Sequence, residues 1–325
     1  MEENITIRKA VPSDIAQLVQ MRMDYLYESQ GEEQVKKCTD LKTKTEAFFD
    51  KYLGNYLDVV VAEANGGIIA VFCSFYLTLL PRLDSKNSNK RAKLLFDYIK
   101  PEYVDDELKK ALYKKLIKNA KEQESGAFEI AVIAEEIPRY ETFGFIKGGY
   151  PPIELWLGKN SVWRKRTCEV KKNITIRKAN NSDIPQLVEM RVKYLCELSG
   201  IEQVRNISDL NNRIKIYLEE HLDKDLDIFV AEWSGEIIST CFTLYFDIIP
   251  DIEILNGKVG IPINSYTKPQ YRNKGLSKAL FVFSAKHAEK RGVELLEMEI
   301  PEGSRKFYEE FGFEPMATIP TQLEL

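Results

Sequence analysis

The chain repeats itself. Asn4–Ala10 reads Asn-Ile-Thr-Ile-Arg-Lys-Ala, and the same seven letters return at Asn173–Ala179, an offset of 169. Between Asn4–Val35 and Asn173–Val204, 22 of 32 positions are identical. Asp58–Glu63 resembles Asp227–Glu232, and Thr142-Phe143-Gly144-Phe145 faces Glu310-Phe311-Gly312-Phe313 at an offset of 168. A period this long is a duplicated domain rather than a solenoid unit. A length of 325 residues suits two domains of about 150. The expected division is an N-terminal copy at 1–158, a linker at 159–172 and a C-terminal copy at 173–325, with the first copy able to fold alone. Lys159, Arg164, Lys165, Arg166, Lys171 and Lys172 oppose only Glu169 in the join, which reads as a solvated connector.

Each copy carries alternating strands and helices. Ile174–Arg177 alternates like a half-buried strand, and Asn181-Ser182-Asp183 offers a cap for a helix carrying Ile184, Leu187, Val188 and Arg191. A second helix is expected over Ser208–His221, then a hairpin of Ile228–Trp233 and Ile237–Tyr245 turning at Ser234-Gly235-Glu236. A strand at Val259–Thr267 leads to a long helix at Gly275–Arg291. Val293–Ile300, a short helix at Ser304–Phe311 and a last strand near Gln322–Leu325 complete the copy. The order predicts an α/β (α+β) fold, one mixed sheet per copy with helices on its faces.

Composition removes several classes of function. The net charge of −4 argues against nucleic acid as a partner, since phosphate binding needs a clustered basic face. The apolar run Ile68–Leu80 falls short of the ~20 residues that span a bilayer, so no membrane partner is expected. Met1–Asn4 shows no basic, signal-like start, and the five cysteines are scattered and odd in number. Both features fit a reduced, cytoplasmic protein without a disulfide framework or zinc site. Two histidines leave little material for a metal centre or a Ser-His-Asp triad; His221 reads as a helix end, and His287 as an exposed helix position. Cys241, inside an apolar strand, reads as core.

Asn264–Leu280 is the segment most suited to chemistry. Pro269 closes a strand, and Arg272-Asn273-Lys274-Gly275 falls where the first-turn amides of the next helix lack partners. Those N–H groups and the helix dipole form an anion site, and Gly275 lets a phosphate approach the backbone. Ser277 adds a hydroxyl. The pattern is not a P-loop, because G-x-x-x-x-G-K-[ST] is missing.

Arg272-Asn273-Lys274-Gly275-Leu276-Ser277 resembles the Arg-x-x-Gly-x-Gly/Ala pyrophosphate loop of the GNAT superfamily of N-acetyltransferases, with Ser277 in place of Gly or Ala. Glu302–Phe313 resembles the family's closing segment, where a Tyr precedes Gly-Phe, and the likeness extends over both copies. The resemblance implies a tandem GNAT protein with acetyl-CoA as co-substrate. It places the pyrophosphate on Arg272, Asn273, Lys274, Gly275, Leu276 and Ser277. It places the pantetheine arm along the backbone of Tyr266 and Thr267, adds Ser304 to the coenzyme site, and makes Tyr308 the acid that protonates the leaving thiolate. A phenol with a pKa near 10 suits that role.

For the base, Glu297 and Glu299 alternate with Leu296, Met298 and Ile300, so both carboxylates face one side of a strand. Glu299 lies nearer the acceptor end. The expected reaction is acetyl transfer to a primary amine of a small molecule or peptide by direct attack in a ternary complex. Two rivals stay open: a tandem acyl or aminoacyl transferase with a larger donor or acceptor, and a non-catalytic acyl-CoA-binding regulator. The N-terminal copy aligns Val104, Asp105, Asp106 and Glu107 with Arg272, Asn273, Lys274 and Gly275. Three carboxylates there would repel a pyrophosphate. That copy is expected to be a degenerate, built-in pseudo-dimer partner, in a chain that is itself a monomer or homodimer.

Overall fold

A computed structural model describes residues 4–83, 89–148, 152–157, 162–165, 171, 173–200, 207–300 and 302–324. The first copy runs β1 (Thr6–Lys9), α1 (Ile15–Gln30), α2 (Glu32–Lys37), α3 (Leu41–Tyr52), β2 (Leu57–Ala64), β3 (Gly67–Thr78), β4 (Lys90–Ile99), α4 (Asp106–Glu122), β5 (Ala127–Val132), α5 (Ile137–Glu141), β6 (Ile146–Lys147) and β7 (Pro152–Trp156). The second runs β8 (Thr175–Lys178), α6 (Ile184–Ser199), α7 (Ile207–His221), β9 (Leu226–Trp233), β10 (Glu236–Asp247), β11 (Lys258–Thr267), α8 (Leu276–Lys290), β12 (Leu295–Glu299), α9 (Arg305–Glu309), β13 (Glu314–Pro315) and β14 (Ile319–Glu324). The elements read from the sequence are present with shifted ends.

Each helix packs the stripe its sequence supplies. On one side of the second sheet, Leu187, Leu195, Leu210 and Ile214 of α6 and α7 bury against Ile228, Val230, Phe242 and Tyr266. On the other side, Leu276 and Leu280 of α8 meet Phe229, Ala231, Ile238 and Cys241, and Phe281, Val282 and Ala285 meet Leu296 and Met298. Full burial of each leucine, isoleucine, valine, methionine or phenylalanine among them is worth about 1.5–3 kcal/mol.

The strands do not obey the expected boundary at 158. There are two seven-stranded sheets, ordered β1-β2-β3-β4-β5-β14-β6 and β13-β7-β12-β11-β10-β9-β8. β14, expected to finish the second copy, lies antiparallel to β5 in the first sheet, from Ile319↔Val132 to Glu324↔Ala127. β7, from the first copy, pairs with β12 from Leu295↔Trp156 to Glu299↔Pro152. The copies have exchanged strands. The exchange is stable because Ile153 and Leu155 alternate into the core beneath Leu296 and Met298, while Thr321 Oγ1 donates to Ile130 O at 3.0 Å. It also corrects the expectation that 1–158 is self-sufficient, because the strand between β5 and β6 comes from the far end of the chain.

Of the expected linker, only Val162–Lys165 and Lys171 fall among the described residues. Trp163 there is 1% exposed in the core of the second copy, and Arg164 pairs with Glu289 of α8. That part is a packed clamp rather than a solvated connector. The copies also share a core: Phe246, Ile249, Ile254 and Val259 join that of the first, and Leu80 joins that of the second. No helix among the described residues is long and apolar enough to cross a membrane.

Candidate active site

β11 pairs with β10 along its length, from Ser239↔Thr267 to Asp247↔Lys258. Its other edge pairs with β12 only at Val259↔Leu295 and Gly260↔Leu296. Beyond Gly260 the two parallel strands diverge, which leaves a stretch of β11 backbone without a strand partner. A bulge opposite Phe242 and Thr243 adds a kink at this point. Gly260 keeps the contact tight where the strands part: a Cβ there would lie 2.7 Å from Leu296 Cδ2, so the leucine would have to shift.

The open edge leads into the loop singled out above. Pro269–Tyr271 make one 3-10 turn, and Asn273 (φ 59°) and Gly275 (φ 76°) are both left-handed. Gly275 is the N-cap of α8, and no side chain caps that helix. The first-turn amides therefore point into an exposed loop with the dipole behind them. Arg272 turns back: its Nε donates to Thr267 O at 3.0 Å and its Nη2 to Glu197 Oε2 at 2.6 Å. Lys274 Nζ donates to Gln270 O. Ser277 Oγ lies 3.0 Å from Thr267 Oγ1, which lies 2.7 Å from Ser239 Oγ.

A cleft of about 460 Å³ runs along this edge and loop. Tyr266, Thr267, Arg272, Asn273, Gly275, Leu276 and Ser277 all line it, as do Tyr194, Glu197 and Phe307. Lys274 and Ser304 are not in its lining; Ser304 sits at the N-cap of α9. Tyr194 and Glu197 were missed in the sequence, since a Tyr and a Glu at the end of an amphipathic helix look like ordinary surface. Only folding brings α6 beside the loop.

Tyr308 is half-buried among the rings of Phe281, Phe307 and Phe313. Burial raises its phenol well above the ordinary value, with the Cys241 thiol and Tyr194 as lesser contributors. Among the described residues its hydroxyl has no hydrogen-bond partner. Glu299 sits at the end of β12. Its side chain is exposed at the strand end, so only a partial loss of hydration raises its carboxyl above the ordinary value; the Glu129 carboxylate adds to the effect, and Lys93 and Arg82 oppose it. Glu297 instead accepts from Lys93 Nζ of the first copy at 2.9 Å. Cys241 is core, 2% exposed. His287 departs from its expected exposed position: it is half-buried, its ring packs on Phe229 and Phe283, and Nδ1 lies 2.9 Å from Phe283 O. His221 does end α7, with Nδ1 2.9 Å from Asp225.

The equivalent place in the first copy is filled from within. Asp105 caps α4, accepting from Leu108 N at 2.8 Å where the second copy leaves amides uncapped. Tyr140, the counterpart of Tyr308, is 3% exposed and its hydroxyl lies 3.1 Å from Tyr113 Oη, which donates to Asp97 at 2.9 Å. Lys109 Nζ approaches the same Asp97 at 3.6 Å. The second copy has Phe281, Ser265 and Ser277 at the positions of Tyr113, Asp97 and Lys109, so this network cannot form there.

Comparison with known proteins agrees with this architecture. Residues 224–315 match the family model described as Acetyltransferase (GNAT) domain. No curated protein matches the sequence. A tandem GNAT protein from the clavulanic acid biosynthesis pathway superposes with a TM-score of 0.58 at 11% identity, covering 99% of this chain and 98% of that one. A GCN5-related N-acetyltransferase from Sphaerobacter thermophilus gives 0.57 at 16%, covering 98% and 95%. The glucosamine N-acetyltransferase region of a fungal multi-domain GH3 β-N-acetylglucosaminidase gives 0.62 at 12%; this chain is covered to 99% but spans only 38% of that protein. With two seven-stranded sheets, an uncapped loop beside a parting strand pair and these likenesses, the chain has the fold of tandem GNAT proteins, and residues 224–315 of its C-terminal copy match the GNAT acetyltransferase domain.

Proposed function

We propose that the C-terminal copy transfers an acetyl group from acetyl-CoA to a primary amine, and that the N-terminal copy serves as scaffold and as one wall of the acceptor site. The observation that carries this reading is the contrast between the two helix starts. α8 begins at an uncapped, left-handed Gly275 above an open strand edge, whereas α4 is closed by the Asp105 carboxylate. The uncapped amides of Gly275–Ser277 would hold the pyrophosphate, and the β11 edge that lacks a β12 partner, leading to Tyr266 and Thr267, would bond the pantetheine amides, with Thr267 O released from Arg272 Nε. The coenzyme supplies the activated acetyl group.

Glu299, whose carboxyl is raised above its ordinary value, would take a proton from the incoming ammonium. Tyr308 keeps its proton through neutral pH, and its unpartnered hydroxyl is free to donate to a leaving thiolate. The first copy offers the opposite of both, with a capped helix and a hydroxyl tied to Tyr113. A thiol-release assay with acetyl-CoA over an amine panel tests the reading. Release that depends on both acetyl-CoA and an amine supports it; saturable coenzyme binding with no release for any amine would favour the regulator.

A further inference from the structure

One buried guanidinium distinguishes the two copies. Arg22 of α1 and Arg191 of α6 are equivalent at the offset of 169, and each reaches into the opposite copy. Arg22 Nη2 donates to Pro250 O at 3.2 Å and to Asp251 Oδ2 at 2.8 Å, and its guanidinium lies over the Phe96 ring. A carboxylate thus neutralises it. Arg191 Nη2 donates to Pro81 O at 3.1 Å and Nη1 to Asn264 Oδ1 at 2.9 Å. The residue after that proline is Arg82, where the other copy has Asp251, and Asn264 stands where the other copy has Phe96.

Arg191 is 4% exposed, and no carboxylate pairs with it among the described residues. Its Nε has no acceptor, which is equally true of Arg22 Nε; what differs is Asn264 Nδ2 beside it, which also has none. Burial lowers the guanidinium to about 10, with Tyr194 and Tyr217 opposing the shift and the Arg82 charge contributing to it. An unpaired charge is costly in a protein interior, and so is an unmade amide bond. The first copy avoids both by placing Asp251 and Phe96 there.

These donors lie on the same face of the second sheet as Glu297 and Glu299. On β12, Leu296 and Met298 pack toward α8, so Glu297 and Glu299 project to the opposite face. On β11, Tyr266 packs toward α6 and α7, and Asn264 alternates onto the same face. Arg191 and Glu299 both feel the charge of Arg82. The parting of β11 and β12 opens between them.

We propose that the amine acceptor carries a carboxylate, bound by the Arg191 guanidinium and Asn264 Nδ2, so that amino acids are the acceptor class. The inference rests on the transferase reading given above. A carboxylate is the fitting anion because Arg22, in the same setting, takes one from Asp251. The carboxylate of Glu299, on the same face, suits the ammonium of the same molecule, Glu297 being paired with Lys93.

The test uses the full chain and α- and ω-amino acids, each paired with its carboxamide. Thiol release gives kcat/KM, and calorimetry gives affinity with and without coenzyme A. The acids should exceed their amides by roughly 10- to 100-fold, mostly through KM. Two variants test the residues: Arg191→Lys, and Arg82→Asp, which recreates the Arg22–Asp251 pair in the other copy. Arg82→Asp should raise the melting temperature and bring the acid-to-amide ratio close to one, with acetyl-CoA affinity unchanged. Equal use of acids and amides by the native chain would overturn the inference, as would an undiminished acid preference in folded Arg82→Asp. If acetyl-CoA itself fails to bind, the transferase reading fails, and the coenzyme-free titration with acids and amides still decides whether Arg191 is a carboxylate site.

Discussion

Replacing Gly275 with Glu transplants Glu107 of the first copy into the second. Gly275 caps α8, so the new carboxylate would sit about 5 Å from any phosphate resting on the first-turn amides. At that separation the repulsion is about 0.8 kcal/mol in water and about 3 kcal/mol at an effective dielectric of 20. Losing one amide bond to a charged group adds about 1.5–3 kcal/mol. The sum, about 2–6 kcal/mol, corresponds to a fall of roughly 30- to 10⁴-fold in acetyl-CoA affinity. The fold should notice less. A side chain at φ 76° costs about 1–2 kcal/mol, and an acidic residue at a helix start returns about 0.3–1 kcal/mol. The melting temperature should therefore fall by only a few degrees. Calorimetry with acetyl-CoA, alongside a thermal melt, reads both quantities. A folded variant that binds acetyl-CoA within threefold of the native affinity would refute the placement of the pyrophosphate at α8.

Three further outcomes are expected. Tyr308→Phe removes a hydroxyl without hydrogen-bond partners among the described residues; it should lower kcat by about 10²–10⁴ while leaving coenzyme affinity intact, and near-native turnover would return Tyr308 to a packing role. The Glu299 carboxyl is held above its ordinary value and must lose its proton to act, so kcat/KM should rise with pH through a value above the usual carboxylate range. Glu299→Gln should abolish that limb; an unchanged profile would assign the base elsewhere. Stopping the chain before Ile319 should destabilise the first copy, measured by hydrogen exchange in β5, because β14 pairs there; loss of protection in β12 instead would contradict the exchange.

The sequence made the duplication plain because Asn4–Val35 and Asn173–Val204 still match, and the anion loop was readable because Gly275 and Arg272 stand at fixed offsets before an apolar helix stripe. The strand exchange was not readable. Ile153 and Leu155 alternate as a strand for either sheet, and after duplication the two edges offer nearly the same apolar face. Which edge wins depends on tertiary packing around Trp163 and Leu323. The loss of the first site was visible in Asp105, Asp106 and Glu107. Its depth was not, because Tyr113 and Asp97 meet Tyr140 only once β4, α4 and α5 are packed. Arg272 looked like a phosphate ligand and turned to Glu197, a residue 75 positions away.

The central claim is that one copy kept the coenzyme site and the other closed it. Titrating the full chain with acetyl-CoA counts the sites directly. One equivalent per chain, lost in Gly275→Glu, is the predicted result; two equivalents, or one that survives that substitution, would contradict it.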